Sequence, residues 1–231
     1  MPRDIRGVLF DKDGTLFDFA TTWDAWAAQI IEELSLGDRR QARRIAEAMD
    51  YDPASGQLRP RSPIIAGTNW EAAELIAAVL PGTNVSQLEA YLAEAASKAP
   101  LAPVVPLRPF LGTLRARGIR LGVMTNDSDS SARSHLGSAG VLDHFDFVAG
   151  FDSGYGSKPS PEPLLAFAMH VGVAAGQVVM VGDSTHDLLA GRAAGMICVG
   201  VLTGPANEKD LLPFADVILT DIGRLLEWLD G

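Results

Sequence analysis

The sequence has little cysteine, a shortage of basic residues and no long apolar run. Its one cysteine, Cys198, cannot form a disulfide within the chain. The 19 lysines and arginines stand against 29 aspartates and glutamates, and the formal net charge of −10 argues against a general role in coating nucleic acid. No stretch approaches the roughly 18 apolar residues of a membrane-spanning helix. We therefore expect neither a nucleic-acid nor a membrane partner.

The remaining composition is that of a globular protein. Apolar residues make up 47% of the 231 residues and charged residues 21%, which excludes disorder as the main state. A chain of this length forms one elaborated domain or two modest ones. Residues 1–10 contain no apolar stretch long enough for a signal peptide, so a cytoplasmic location is the expectation.

Short apolar runs predict the buried strands of a parallel sheet. From the second run onward they alternate with helical patterns at 130–139, 161–171 and 185–194. Such alternation implies right-handed crossovers, with helices covering both faces of the sheet. The six predicted strands are 7–10, 120–124, 147–149, 178–181, 197–201 and 217–219.

A long insert interrupts this alternation between the first two predicted strands. About a hundred residues lie there, where a single crossover helix would suffice. The insert contains helical patterns and no convincing strand, and it ends in a proline-rich stretch, 100–106, that predicts a stiff extended hinge. We predict a core of residues 1–16 and 106–231 and a helical cap of residues 17–105. The four predicted cap helices are 22–34, 38–49, 70–80 and 86–98.

Polar side chains follow the predicted strands at the edge where parallel sheets bind ligands. Asp11 and Asp13 lie two residues apart, so in an extended chain they share a face and Lys12 points away. A third carboxylate, Asp183, would repel this pair unless a cation lies between them. Oxygen ligands with few protein donors favour Mg²⁺ over Ca²⁺, and no histidine and cysteine set has the spacing of a zinc site.

The same residues suit phosphoryl transfer. A carboxylate beside Mg²⁺ can attack phosphorus, while a second carboxylic acid protonates the departing oxygen. Thr125, Asn126 and Lys158 follow the second and third predicted strands and supply donors for the phosphoryl oxygens.

The order of these motifs resembles the haloacid dehalogenase-like hydrolase superfamily, in its phosphoglycolate phosphatase-like branch with an inserted helical cap. The resemblance covers the whole chain, and four motifs in order make it specific. They are Asp11-x-Asp13-Gly-Thr-Leu, Thr125-Asn126, Lys158-Pro159 and Gly182-Asp183-Ser-x-x-Asp187.

The resemblance implies an α/β fold with a doubly wound parallel sheet, a Rossmann-like core, and a smaller all-helical cap domain. It implies Asp11 as the nucleophile and Asp13 as the general acid and base. Mg²⁺ would be held by Asp11, the main-chain carbonyl of Asp13, and Asp183. Asp187 would orient Lys158 or metal-bound water. The phosphoryl group would be held by Thr125, Asn126 and Lys158.

The leading functional prediction is a Mg²⁺-dependent phosphatase that acts on a small phosphorylated metabolite, with phosphoglycolate the first to test. A sugar-phosphate mutase keeps the same motifs and stays open, since hydrolysis and transfer differ in how well the cap excludes water. Asp13 argues against a dehalogenase, and Lys98, the one cap lysine, is poorly placed to form the imine of phosphonoacetaldehyde hydrolysis. A phosphorylatable receiver-type switch is the non-enzymatic alternative.

Several other residues receive weaker expectations. Arg59, Arg61 and the turn at 66–68 are candidates for substrate contact, because a guanidinium suits recognition of a carboxylate. His186 is expected at the surface or behind the site, and Cys198 as an inert buried residue. Packing within the cap is expected for the tryptophans Trp23, Trp26 and Trp70.

Overall fold

A computed structural model describes residues 4–59, 61–65 and 67–231. The strands of this part of the chain are β1 (Gly7–Phe10), β2 (Tyr51–Asp52), β3 (Gln57–Leu58), β4 (Arg120–Met124), β5 (Phe147–Ala149), β6 (Val178–Gly182), β7 (Ile197–Val201) and β8 (Val217–Leu219). The α-helices are α1 (Phe19–Ser35), α2 (Arg39–Ala48), α3 (Asn69–Ala77), α4 (Val85–Ser97), α5 (Leu107–Ala116), α6 (Asp129–Ser138), α7 (Glu162–Val171), α8 (Thr185–Ala193), α9 (Glu208–Leu211) and α10 (Leu225–Asp230). None of these helices has the length and apolar character needed to cross a membrane.

Six of the strands form one parallel sheet in the order β5-β4-β1-β6-β7-β8. The α/β class and the doubly wound parallel sheet are therefore confirmed. β1 lies between β4 and β6, and its residues Val8, Leu9 and Phe10 have no exposed surface. Apolar clusters cover both faces, one around Val8 and Phe10 and the other around Leu9 and Phe167. This burial on both faces explains why the strand sequences are continuously apolar.

A glycine in β4 lets a helix pack closely on the sheet. A Cβ atom at Gly122 would fall 2.6 Å from the ring of Phe167 on α7, and 2.9 Å from Leu9. Both distances are shorter than a van der Waals contact, so a larger residue would push α7 away from the sheet.

The insert, residues 17–105, contains α1 to α4 around an apolar cluster of its own, with Trp26, Ile30 and Leu92 at its centre. One detail differs from the all-helical prediction, because β2 and β3 pair as a short antiparallel hairpin. Strands of two residues are too short to produce a period in the sequence. The hairpin also depends on a distant partner, since the backbone N–H of Leu58 donates to Asp24 on α1 at 2.8 Å.

The two chain segments that connect the insert to the sheet run side by side. Val104 N donates to Leu16 O at 3.0 Å, and Asp18 N donates to Ala102 O at 2.8 Å. The predicted extended exit through prolines is thus present as irregular, paired backbone. The division into a core of 1–16 and 106–231 and a cap of 17–105 stays a prediction.

Candidate active site

Three neighbouring strands bring the predicted site residues together at their carboxyl ends. β1 leads into Asp11 and Asp13, β4 into Thr125, and β6 into Asp183. Because β4 and β6 flank β1, these residues meet where the chain order reverses across the sheet, which is the usual ligand position in such folds. They line a cavity of about 40 Å³ together with Asn126, Lys158 and Asp187.

Lys158 joins two carboxylates in a buried cluster. Its Nζ lies 2.6 Å from Asp11 Oδ1 and 2.6 Å from Asp187 Oδ1. Burial raises the pKa of Asp11 to about 7, although the nearby ammonium acts in the opposite direction. Burial by itself would lower the pKa of Lys158, but the two carboxylates outweigh it and raise that pKa. Lys158 is therefore a cation held directly beside the carboxylate predicted to be the nucleophile.

A helix start fixes the orientation of Asp187. Its Oδ2 accepts hydrogen bonds from Ser184 N at 3.0 Å and Ser184 Oγ at 2.7 Å, in the capping box that begins α8. This leaves Oδ1 for Lys158. The structure thus places Asp187 against Lys158, the first of the two partners that the resemblance implies, and its role in catalysis stays a prediction.

Asp183 is a buried carboxylate in a site with little room around it. It is 3% exposed and accepts a long hydrogen bond, 3.5 Å, from Thr15 Oγ1. Burial raises its pKa well above the usual value, and the charges of Asp11 and Asp187 raise it further. Cβ atoms at Gly14 and Gly204 would lie 2.5 and 1.7 Å from this carboxylate, so glycine is needed at both positions.

These carboxylates fit a divalent cation. Ligand oxygens of Asp11, Asp183 and Asp187 lie within 4.8 Å of one another, and all three residues are buried. Lys158 contacts the carboxylates of Asp11 and Asp187, and the nearby carboxylate of Asp183 makes no ion pair with a described residue, so a cation between the three would relieve their repulsion. An oxygen-only donor set suits a hard ion such as Mg²⁺. The main-chain carbonyl of Asp13, predicted as a further ligand, stays a prediction.

Asn126 positions the loop that presents Lys158. Asn126 Nδ2 donates to Lys158 O, and Lys158 N donates to Asn126 Oδ1, each at 2.9 Å. Thr125 is 2% exposed, and its hydroxyl oxygen accepts from Asp127 N at 3.1 Å. All three predicted phosphate-binding residues therefore line the cavity, and their contact with phosphate stays a prediction.

In an extended chain, Lys12 would point away from Asp11 and Asp13. In the structure, its side chain turns back and contacts Asp13. The backbone bends at Lys12, and its Nζ lies 2.8 Å from Asp13 Oδ2 and 3.1 Å from Asp127 Oδ2. His135 Nδ1 lies 2.9 Å from the same nitrogen, and the ring of Trp23 is 5.8 Å away. Burial would lower the pKa of this fully buried lysine, but Asp13 and Asp127 raise it. We call Lys12, Asp13, Asp127 and His135 the Lys12 cluster.

The Lys12 cluster contacts the insert at two further points. Asp127 Oδ1 accepts from Asn69 Nδ2, at the start of α3, at 3.0 Å. His135 Nε2 lies 2.8 Å from Ala96 O on α4. Burial and the ammonium of Lys12 lower the pKa of His135, which makes a neutral ring donating to Ala96 and accepting from Lys12 consistent with both contacts. Sequence reasoning missed the contacts of Asn69, Asp127 and His135, because no motif links positions so far apart.

The insert contributes another part of the cavity lining. Trp23 and Trp26 from α1 line it together with Ile64, Ile65 and Ala72. The two tryptophans therefore pack inside the insert, as expected, and also face the site. Trp70, in contrast, is 41% exposed.

The two arginines predicted for substrate contact lie outside this cavity lining. Arg59 pairs with Asp50 at 3.0 Å and Asp52 at 3.8 Å. Arg61 lines a neighbouring groove of about 700 Å³ that shares Gly67, Lys158 and His186 with the cavity. Ala66, in the turn predicted to contact substrate, lies outside the described residues. A role of either arginine in specificity stays a prediction.

Two remaining residues are placed as follows. His186 is half-buried beside the cavity, and its Nδ1 has no hydrogen-bond partner among the residues that the structure describes. Cys198 is buried in β7, and burial raises the pKa of its thiol to about 11. The inert role expected for this thiol agrees with that environment.

The comparison with protein families identifies this arrangement. The family model of the haloacid dehalogenase-like hydrolases matches residues 5–195. The chain belongs to this family. The haloacid dehalogenase-like hydrolase described here is 31% identical over 255 residues to the phosphoglycolate phosphatase of Escherichia coli (strain K12), covering 96% of this chain and 92% of that protein. It is 32% identical over 231 residues to the phosphoglycolate phosphatase of Neisseria meningitidis serogroup A, with the same coverage.

Solved structures agree on the fold of this haloacid dehalogenase-like hydrolase. A HAD phosphatase of Thermococcus onnurineus superposes with a TM-score of 0.65 at 21% identity, covering 98% of this chain and 99% of that one. The β-phosphoglucomutase of Clostridium difficile superposes with a TM-score of 0.71 at 17% identity, covering 98% and 96%. The family and its phosphatase relatives confirm the enzyme class, a phosphoric monoester hydrolase, and exclude the receiver-type switch.

Proposed function

We propose that this enzyme is a Mg²⁺-dependent phosphatase of small phosphorylated metabolites that works through an aspartyl-phosphate on Asp11. The observation that supports it most is the position of Asp11. This carboxylate lies at the end of the central strand, 2.6 Å from Lys158, in a cluster of carboxylates that fits a cation. Asp13, the proposed proton donor, lines the same small cavity.

The first half of the reaction transfers the phosphoryl group to the enzyme. A carboxylate oxygen of Asp11 attacks phosphorus and forms a new P–O bond, while the bond to the leaving oxygen breaks. Asp13, as the carboxylic acid, gives its proton to that oxygen. Lys158 stabilises negative charge on the phosphoryl oxygens, with Thr125 as a further donor. Mg²⁺, held by Asp11, Asp183 and the carbonyl of Asp13, would add positive charge beside those oxygens.

The second half returns Asp11 to its starting state. Asp13, now a carboxylate, takes a proton from water as that water attacks phosphorus. The bond between phosphorus and Asp11 breaks, and inorganic phosphate leaves. The contact with Lys12 holds Asp13 at the cavity for both proton transfers.

The small cavity supports a small substrate. Its volume of about 40 Å³ accommodates only a few water molecules in this conformation, and we expect the insert to move when substrate enters. The paired segments near Leu16 and Val104 are the connection about which the insert would move, as a cap that closes over bound substrate. Phosphoglycolate is the first substrate to test, by similarity to relatives of that name.

The test is phosphate release across a panel of phosphorylated metabolites, with Mg²⁺ and with a chelator. We expect steady release from small phosphomonoesters that requires Mg²⁺, and none from the Asp11→Asn variant, because an amide does not attack phosphorus. Asp129→Asn, which changes an acid on α6 outside the cavity lining, is the matched control. Full activity in chelator would overturn the metal assignment. Interconversion of sugar phosphates with little free phosphate would replace the phosphatase by the mutase that the motifs also allow.

A further inference from the structure

Two buried donor groups of the insert have no hydrogen-bond partner within the part of the chain that the structure describes. The indole nitrogens of Trp23 and Trp26 are buried, and neither has a hydrogen-bond acceptor among the described residues. The two side chains are only 7% and 1% exposed. A buried N–H group without an acceptor costs free energy, so such groups are rare in native proteins unless a ligand or water completes them.

Both tryptophans line the cavity that contains Asp11 and Asp13. They are three residues apart on α1 and therefore share one face of that helix. Their rings pack edge to face, with centroids 5.2 Å apart, which fixes each ring relative to the other. Two donors that lack an acceptor within the described residues thus lie side by side at one wall of the cavity.

The insert residues that line the cavity beside the two tryptophans limit the kind of ligand that can bind there. Ile64, Ile65 and Ala72 are apolar, and no charged side chain of the insert is among the described lining residues. An indole N–H donates and does not accept, so a group bound there must carry an acceptor atom, such as a carboxylate oxygen. Asn69, the first residue of α3, also lines the cavity, and the positive end of that helix favours negative charge nearby.

We propose that the indole N–H groups of Trp23 and Trp26 bind a carboxylate on the leaving group of the substrate. The substrate class is a phosphomonoester whose short leaving group ends in a carboxylate. This assignment rests on the proposed phosphatase function, since it takes the phosphoryl group to lie at Asp11. Under this proposal, the specificity of the enzyme depends on two neutral donors on α1 rather than on Arg59 or Arg61.

Nuclear magnetic resonance of the indole N–H groups tests binding without turnover. The chain has four tryptophans, so a ¹⁵N-labelled sample gives four side-chain signals, assigned by single Trp→Phe variants. The full-length Asp11→Asn variant is titrated in MgCl₂ with 2-phosphoglycolate, ethyl phosphate or inorganic phosphate. We expect only 2-phosphoglycolate to move the Trp23 and Trp26 signals downfield, with Trp70 and Trp228 unchanged. Shifts of the same size with ethyl phosphate, or no shift with 2-phosphoglycolate, would overturn the assignment.

Kinetics of the Trp→Phe variants then measure the contribution of each N–H group, because phenylalanine keeps an aromatic ring but cannot donate. The readout is kcat/KM for 2-phosphoglycolate divided by kcat/KM for ethyl phosphate. We expect this ratio to fall about tenfold or more in W23F and in W26F, as for loss of a hydrogen bond to a charged group. W70F, at an exposed position of α3, is the matched control and keeps the parent ratio.

The outcomes separate the two proposals. If no phosphomonoester releases phosphate, the proposed function fails, whatever the tryptophans bind. If phosphate is released but the ratio in W23F and W26F equals that of the parent, the carboxylate site fails while the phosphatase stands. If either variant does not fold, the titration of the four indole signals still decides.

Discussion

Replacing Lys12 by methionine tests whether the buried ammonium stabilises the junction between sheet and insert. Lys12 has no exposed surface and lies 2.8 Å from Asp13 and 3.1 Å from Asp127. Methionine has similar length but no charge, so K12M leaves the buried carboxylate of Asp127 and the half-buried carboxylate of Asp13 without their cation. Removing one partner of a buried ion pair costs about 3–5 kcal/mol. In a chain of this size, that cost corresponds to a fall in Tm on the order of 10 °C.

The assay is thermal and urea unfolding of the parent and K12M, followed by circular dichroism. The matched control is K98M, because Lys98 makes an ion pair of similar distance, 2.7 Å with Glu94, but its side chain is 70% exposed. Water screens that pair, so K98M should unfold almost as the parent does. The double variant K12M/D127N removes the Lys12 cation together with the Asp127 carboxylate that would otherwise be left unpaired. Its loss in free energy of unfolding should therefore be smaller than the sum of the losses in K12M and D127N.

The result that would refute this reasoning is a loss of stability in K12M no larger than in K98M. Such a result would mean that water or a rearrangement satisfies Asp13 and Asp127 without Lys12. Additive losses in the double variant would mean that Lys12 and Asp127 contribute independently, in spite of their 3.1 Å contact.

Three further outcomes are expected. Asp13→Asn should slow hydrolysis of alkyl phosphates far more than that of an activated aryl phosphate, whose leaving group needs little protonation; equal losses in kcat would contradict the acid role. Mg²⁺ at 100 times its Kd should stabilise the parent by about 2.7 kcal/mol in thermal unfolding, whereas the Asp183→Asn variant should gain much less at the same concentration. Equal stabilisation of both would show that Asp183 is not a Mg²⁺ ligand. A thiol-reactive disulfide at mildly alkaline pH should label native Cys198 much more slowly than the urea-unfolded chain, because burial raises its pKa to about 11; equal rates would show an accessible thiol.

Much of the site could be predicted because its residues directly follow strands. A strand that is buried on both faces is a continuous apolar run. Its end can be recognised where the first polar residues follow, as after Phe10 and after Gly182. Parallel strands place all these ends at one edge, so Asp11, Thr125 and Asp183 converge although they lie far apart in the chain. The alternation of strands and helices was therefore sufficient for the fold class, and the positions after the strands were sufficient to predict which residues meet; the roles of these residues stay predictions.

The insert was predicted less completely, because helical periodicity tells which face of a helix is apolar and not what packs on it. It located α1 to α4 within a few residues but gave no sign of the hairpin β2–β3, whose anchor is Asp24. Arg59 suited a carboxylate by its chemistry, yet in the structure it pairs with Asp50 and Asp52.

The sequence alone determined where the strands lie along the chain, where each motif lies and which side chains it carries. These properties depend only on neighbours in the chain. What only the tertiary structure decided is which groups meet across long separations. Lys12 and His135 are 123 residues apart, and Asn69 and Asp127 are 58 apart. Whether Trp23 and Trp26 find acceptors depends on everything packed around α1. Burial and hydrogen-bond partners are properties of the packed molecule, and no local pattern contains them.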